Sequence, residues 1–437
     1  MGLGVSAGSA AVIGAGWAGI AAAVELVRRG ARVTLLDANR TAGGRARRVT
    51  YRGESLDNGQ HLLLGAYRET LALLEAVGAP ASSLRRLPLA IRYPGGPSLS
   101  APRLPAPLHL AVALVFAEGF TAREKAAALR LGLAVRRAES LALPGETVRA
   151  LLARLRQPER LTRRVWEPLC VAALNTPGER ADAAVFARVL RDALLRRRAD
   201  SDFLVPAADL SAVLPEPALT WLGERGTRLL LGRRVAGLAR TGAGWKVDAA
   251  EVAEPFDLVV CATAPHEAAA LLGPVEGLGP LAARLASIAH EPITTVYLQY
   301  ATRVRLPHPL VALENAPAQW LFDREALGGA RGLVAAVISA SHAEAALDQE
   351  VLGTRVHREM ERLAGPLEAP RWTKVITEKR ATFSCTPGAF RPPAATGLEG
   401  LALAGDYTEG PYPATLEGAV ASGLRAARLL TASRTTP

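Results

Sequence analysis

Cysteine is scarce in this chain of 437 residues: Cys170, Cys261 and Cys385 stand far apart, show no CxxC spacing and are odd in number. That argues against a disulfide framework or a zinc site, and the compartment expected is a reducing cytoplasm. Lysine is also rare. Only Lys125, Lys246, Lys374 and Lys379 contribute to the 52 basic residues, so arginine carries the excess of +11 over 41 acidic residues. Aromatic residues make up 5% and do not interleave with the arginine clusters at 160–166 and 194–200, which argues against a nucleic-acid groove. Attraction to an anionic membrane surface or a phosphorylated ligand is one reading of the excess, and an ordinary solvated surface is the other. No apolar run reaches the ~18 to 20 residues of a spanning helix. The longest candidate, 104–120, reads either as a buried helix or as a monotopic dip into a membrane. No basic stretch precedes the first apolar run, which merges into a glycine motif and therefore reads as a strand and not as a targeting segment.

What is present is a globular composition, 49% hydrophobic, in a chain long enough for two to three domains. The segment "AAVIG" (10–14) predicts a buried strand, "GWAGIAAAVELVRRG" a turn and helix, and "ARVTLLDA" (31–38) a second strand. Within it, Gly14, Gly16 and Gly19 follow GxGxxG spacing. The first glycine permits the turn, the second lets backbone approach a pyrophosphate, and the third allows close helix packing. The helix N-terminus then faces the anion. Asp37 ends the second strand, where a carboxylate meets ribose hydroxyls. Gly43, Gly44 and Arg45 follow directly, and an arginine beside bare backbone suits the same pyrophosphate.

Near the other end, 400–430, an apolar strand ends in Gly405 and Asp406, and a proline-containing loop leads to an amphipathic helix beginning near Leu416. A carboxylate at a strand end can bind ribityl hydroxyls, and a helix N-terminus stabilises negative charge on a reduced flavin. Between the ends, 226–241 with "WKVDA" predicts a strand pair near an adenine, with Val235 meeting it through backbone, and 256–272 predicts a strand and helix returning to the dinucleotide domain. The stretch from about 93 to 200 is rich in helix formers. The runs 292–306, 332–341 and 371–383 are β-branched and aromatic, as in a sheet walling a pocket.

The fingerprint, the adjacent GGR and the C-terminal GD-loop-helix together resemble the flavin-containing amine oxidase and phytoene desaturase superfamily. The strings "DNGQHLLLGAYRETLALLEAVG" (57–78), "WEPLCVAALNTP" (166–177), "QWLFDR" (319–324), "EKRATF" (378–383) and "YPATLEGAVASG" (412–423) are similar to the hydroxysqualene dehydroxylases. The resemblance implies an α/β fold, with a discontinuous Rossmann-like FAD-binding domain of the GR2 flavoprotein type over 1–92, 200–265 and 388–437. An interleaved α+β substrate domain over 93–199 and 266–387 would include a possible membrane-docking helical region near 104–137. It implies FAD as cofactor, hydroxysqualene or a similar polyprene lipid as substrate, and peripheral attachment to the inner face of the cytoplasmic membrane. Gly14, Gly16, Ala18, Gly19 and Asp37 fall on the adenosine-diphosphate site. Gly43, Gly44 and Arg45 fall on the second pyrophosphate element, Gly59 and Val235 beside the cofactor, and Gly405, Asp406 and Leu416 at the flavin end.

Removing an allylic hydroxyl with reduced FAD needs an acid near the hydroxyl, exclusion of water, and walls that tolerate a cation. His61 is the candidate acid, because histidine titrates near neutrality. Asp57 reads as a cap of the "DNGQ" turn, and Asp323 with Arg324 and Glu378 with Arg380 read as acids or simple ion pairs. Trp166, Trp320, Tyr297, Phe383 and Tyr412 are pocket or core aromatics. A carotenoid-type desaturase or isomerase, an amine oxidase and a non-enzymatic lipid carrier remain open alternatives. No second nucleotide fingerprint names the electron donor, and no metal is required.

Overall fold

Five parallel strands, in the spatial order Arg228–Leu231, Arg32–Asp37, Ser9–Ile13, Leu258–Cys261 and Leu401–Leu403, form the sheet on which the rest is built. The computed structural model describes residues 8–137, 141–242, 244–314 and 316–432. The central strand is apolar on both faces, with Ala10, Ala11 and Val12 fully buried, as a parallel sheet covered on both sides requires. Helices Trp17–Arg28 and Leu416–Ala432 lie against each other over one face. Small residues set their separation: a Cβ on Gly423 would lie 2.0 Å from the Ala18 carbonyl oxygen.

Gly14 turns the chain out of the first strand with φ +105, and a Cβ there would lie 2.7 Å from the Ala262 carbonyl oxygen. A Cβ on Gly19 would lie 1.8 Å from the Gly14 oxygen, so the helix can sit this close to the turn only with glycine at that position. The sheet thus draws on three separated stretches of chain, 9–37, 228–261 and 401–403. The strand Arg228–Leu231 joins its edge, whereas the hairpin near it is Gly237–Thr241 with Gly244–Asp248.

A second, antiparallel sheet has the order Leu310–Ala312, Trp320–Asp323, Leu333–Ser339, His290–Gln299 and Trp372–Phe383. Its strands alternate between two hydrophobic layers. Val296 and Leu298 face helix Gln349–Ala364 through Leu352, Val356 and Met360, whereas Tyr297 and Phe322 face the opposite layer. The chain also forms a three-stranded sheet in the order Leu63–Leu64, Phe203–Pro206 and Leu84–Leu87, and a run of helices within 108–195. The three cysteines are buried free thiols. Among the described residues no helix is long and apolar enough to cross a membrane.

Candidate functional site

One cavity of about 600 Å³ runs from the carboxyl ends of the parallel strands to the second sheet. At its first end the two glycine turns are bonded to each other: the Gly43 N–H donates to the Ala15 carbonyl at 2.8 Å, and Gly16 and Gly43 form a parallel bridge. Helix Trp17–Arg28 begins here at Gly16 with no side-chain cap and no acidic residue in its first turn. Its first N–H groups are thus left to an anion on the helix axis, the arrangement that holds a pyrophosphate. Gly14, Gly16, Ala18, Gly43 and Gly44 line the cavity, while Gly19 lies beneath the turn and serves packing.

Asp37 also lines the cavity. Its Oδ2 accepts from the Ala15 N–H at 2.7 Å and its Oδ1 from the Asn39 N–H at 2.7 Å, which fixes the carboxylate at the strand end with acceptor positions still open. Val235 lines the cavity as well.

Arg45 lines the cavity but does not present the free guanidinium toward a phosphate that its place beside Gly43 and Gly44 predicts. Its Nη2 lies 2.7 and 2.8 Å from the two carboxylate oxygens of Asp406, and its Nη1 donates to the Ala381 carbonyl. The physical reason is Asp406 itself, a carboxylate that is 8% exposed and needs a counter-charge. Gly405 precedes it, with its N–H donating to Ser422 Oγ at 2.8 Å. Pro413 to Glu417 then bring the N-terminus of the last helix to the cavity. Thr415 Oγ1 caps that helix by accepting from the Gly418 N–H at 3.0 Å. The one acid in its first turn, Glu417, is engaged by the N–H groups of Glu69 and Thr70, from which it accepts at 3.0 and 2.9 Å. Leu416 lines the cavity as expected from its position.

His61 and Gly59 line it too. His61 Nδ1 lies 2.6 Å from the Gly59 carbonyl oxygen; burial, followed by the nearby Arg45, pushes its pKa below the usual histidine value, against the carbonyl, which raises it. Asp57 takes a different place from the one expected. It lies outside the cavity lining and accepts at 2.7 Å from the N–H of Leu210, the first residue of helix Leu210–Val213, whose cap is Asp209. Burial raises its pKa to about 7.

Asp323 and Arg324 do not pair with each other. Arg324 donates to the carbonyls of Pro206 and Ala208, and Asp323 accepts from the Ala326 N–H. Glu378 lines the cavity and accepts from the Arg380 backbone N–H at 3.3 Å. Of the five aromatics, Trp320 and Tyr412 line the cavity. Trp166 donates to Gln157 in the core, Tyr297 to the Asp57 carbonyl, and Phe383 is buried under Arg391.

Besides Asp192 Oδ1, which is ion-paired to Arg196, three buried polar atoms on lining residues, Trp320 Nε1, Tyr407 Oη and His266 Nδ1, have no hydrogen-bond partner within the protein. Such orphans are costly unless a ligand or water meets them. With the uncapped helix and the glycine cradle, they fit an extended dinucleotide. Among the lining residues that the sequence does not single out are His266, Tyr407, Asn175, Asp192 and Ser201. Asp192 was hidden in "RDALLRRR", which reads as a solvated arginine face.

Comparison with known proteins agrees with this geometry. The family described as flavin containing amine oxidoreductase matches residues 17–431. A hydroxysqualene dehydroxylase of Rhodopseudomonas palustris is 30% identical, with 97% of this chain and 98% of that protein covered. Another, of Zymomonas mobilis, is 28% identical over 96% of this chain and 98% of its own. Among solved structures, cyclohexylamine oxidase of Brevibacterium oxydans superposes with a TM-score of 0.71 at 18% identity, covering 98% of this chain and 99% of its own. An oxidoreductase of Methanosarcina mazei reaches 0.75 at 14% identity, covering 95% and 99%. At those identities the structures speak for the fold alone.

Proposed function

Because the chain belongs to the flavin-containing amine oxidoreductase family and is an FAD-dependent oxidoreductase, we propose that it removes the hydroxyl of hydroxysqualene, or of a closely similar polyprene alcohol, to give squalene and water. The observation that carries this reading is the continuity of one cavity, from the phosphate-binding turn past Asp406 to a wall of Leu169, Phe186, Leu190, Trp320 and Phe322. A thirty-carbon substrate needs such an apolar end, and the relatives named hydroxysqualene dehydroxylase match over nearly their whole length. On this reading 1–92, 200–265 and 388–437 form the cofactor domain and 93–199 with 266–387 the substrate domain.

FAD, when bound in its reduced state, would supply the two electrons as one hydride, which with one proton from the protein converts the alcohol to hydrocarbon and water. The protein does the rest. Gly14, Gly16, Gly43 and Gly44 would hold the pyrophosphate, Asp37 the ribose, and Asp406 with the helix at Leu416 the flavin end. The apolar wall excludes water from a developing allylic cation. His61 is the proposed proton donor, its Nδ1–H held by the Gly59 carbonyl so that Nε2 carries the transferable proton when the ring is charged.

The lipid has to reach this cavity, and the surface supports a route. Eight large hydrophobic side chains are exposed among the described residues, and six of them, Leu104, Leu108, Val115, Phe116, Leu133 and Leu143, lie between 104 and 143. Phe116 is 77% exposed, Leu108 and Val115 56% each. Arg103 adjoins this patch in sequence, and Lys125 Nζ donates to the Val115 carbonyl at 2.7 Å. On the inner side of the same helix, Leu108–Val115, buried His109 lies 3.3 Å from the hydroxyl of Ser201, a cavity-lining residue. One helix therefore separates the apolar surface from the cavity. The patch reads as a docking face for an anionic bilayer.

Anaerobic incubation with FAD, a flavin reductant and hydroxysqualene, followed by mass spectrometry, should yield squalene. Absence of squalene with fully reduced flavoprotein overturns the proposal.

A further inference from the structure

The helical region supplies the cavity with an almost wholly apolar wall, Leu169, Phe186, Val189, Leu190 and Leu194 with alanines between. Among the described residues of 141–200, two polar side chains interrupt it, Asn175 and Asp192. Asn175 is fully used. Its Oδ1 accepts from the Ala340 N–H at 2.7 Å, and its Nδ2 donates to Thr382 Oγ1 at 3.0 Å and toward the carbonyls of Glu291 and Pro292. Asp192 is not. It is 7% exposed, and its Oδ2 accepts one hydrogen bond, from Tyr412 Oη at 3.0 Å. Arg196 Nε lies 2.8 Å from Oδ1, at ion-pair distance but without hydrogen-bond alignment, so the carboxylate keeps acceptor positions to spare.

The two residues reach this spot from opposite sides. Asp192 stands on a single π-helical turn, Arg191–Leu195, that continues helix Ala183–Leu190; insertions of this kind rotate side chains out of helical register and recur at functional sites. Tyr412 directly precedes Pro413 to Leu416, the segment that brings the last helix to the flavin end. Its pKa is pushed up to about 12, first by burial and then by Asp192, so it remains an O–H donor at neutral pH.

We propose that Asp192, held by Tyr412, is the site that receives the hydroxyl group of a long-chain, otherwise apolar alcohol, an assignment that rests on the function proposed above. The hydroxyl donates to the Asp192 carboxylate, a charge-assisted hydrogen bond inside an apolar wall. The lone pairs of the alcohol oxygen stay open to a proton donor. The hydrocarbon product has no such group to offer, so the site favours binding of substrate and release of product.

The test uses the intact protein with oxidised FAD, which cannot turn over, titrated with hydroxysqualene and separately with squalene while the flavin absorbance is followed. The wild type should bind the alcohol about tenfold to a hundredfold more tightly than the hydrocarbon, the worth of one hydrogen bond to a charged group. In Asp192→Asn and in Tyr412→Phe that ratio should fall toward one while squalene affinity stays, which also shows that the variant is folded. Should one variant fail to fold, the other carries the test. A wild type that makes no squalene overturns the proposed function and this assignment together. A wild type that makes squalene, with variants that keep its binding ratio, overturns the hydroxyl site alone.

Discussion

Arg45 and Asp406 stand 361 residues apart in sequence, and 2.7 Å separates the guanidinium from the carboxylate. This pair ties the turn after the second strand to the loop before the last helix, so the two ends of the chain close on one cavity. The Asp406 side chain is 10% exposed and that of Arg45 36%, so removing the arginine leaves a mostly buried charge, whereas removing the aspartate leaves a charge that solvent can reach.

Both substitutions should weaken retention of FAD. Asp406→Ala removes a candidate ribityl partner and should raise the FAD dissociation constant about tenfold or more. Arg45→Ala should do the same and also lower the unfolding midpoint. Flavin content after gel filtration and fluorescence titration of apoprotein with FAD measure the first effect, and urea unfolding the second.

Contact between the first and last helices depends on a missing side chain. Gly423→Ala places a methyl against the Ala18 carbonyl and should destabilise by about 1–3 kcal/mol through forced separation of the helices. Gly132, inside helix Ala122–Arg137, has open space around it. Gly132→Ala should therefore be neutral or stabilising by roughly 0.5–1 kcal/mol. Chemical denaturation of both variants distinguishes close packing from helix propensity.

Asp57 makes stability depend on pH in an unusual direction for a carboxylate. Burial raises its folded-state pKa to about 7, above the unfolded value, so the folded protein keeps a proton that the unfolded chain has already released. Its contribution is intact below about pH 4 and is lost as pH climbs through about 7. Asp57→Asn retains an acceptor for the Leu210 N–H and removes this loss. Relative to wild type it should gain on the order of 2–4 kcal/mol between pH 4 and pH 8, read from urea midpoints across that range.

His61 should report in the opposite sense on catalysis. Its pKa is depressed by burial, so the charged ring is the minor form at neutral pH and grows on acidification. Single-turnover flavin reoxidation by hydroxysqualene should accelerate on acidification in the wild type. In His61→Gln it should be slower by about 10²-fold or more and flat over the same range. Equal rates and equal profiles would remove His61 from the reaction.

The apolar patch should be separable from the fold. Leu108→Ser with Phe116→Ser changes exposed positions and should alter stability by no more than about 0.5 kcal/mol. Flotation with anionic liposomes should drop at least about tenfold, given roughly 1.5–3 kcal/mol for each buried large side chain. Wild-type flotation should also weaken with added salt. A protein that stays at the bottom of the gradient in low salt refutes the docking face.

The sequence by itself determined the glycine-turn end of the cavity: the strand, the Gly14–Gly16–Gly19 turn, the helix and Asp37 are adjacent along the chain, and their geometry follows from backbone sterics acting over a few residues. It also marked Gly405, Asp406 and the last helix, because a strand end and a helix start leave local signals. Tertiary structure alone decided what those groups meet. Arg45 finds Asp406, Asp57 finds the Leu210 N–H, and Asp192 finds Tyr412 across 361, 153 and 220 residues. No periodicity carries such pairings, since a buried charge or donor takes whatever partner packing brings to it. The same holds for the aromatics: Trp320 and Tyr297 share the sheet face turned away from helix Gln349–Ala364, and only the packing along that face put Trp320 at the cavity and the Tyr297 hydroxyl on the Asp57 carbonyl.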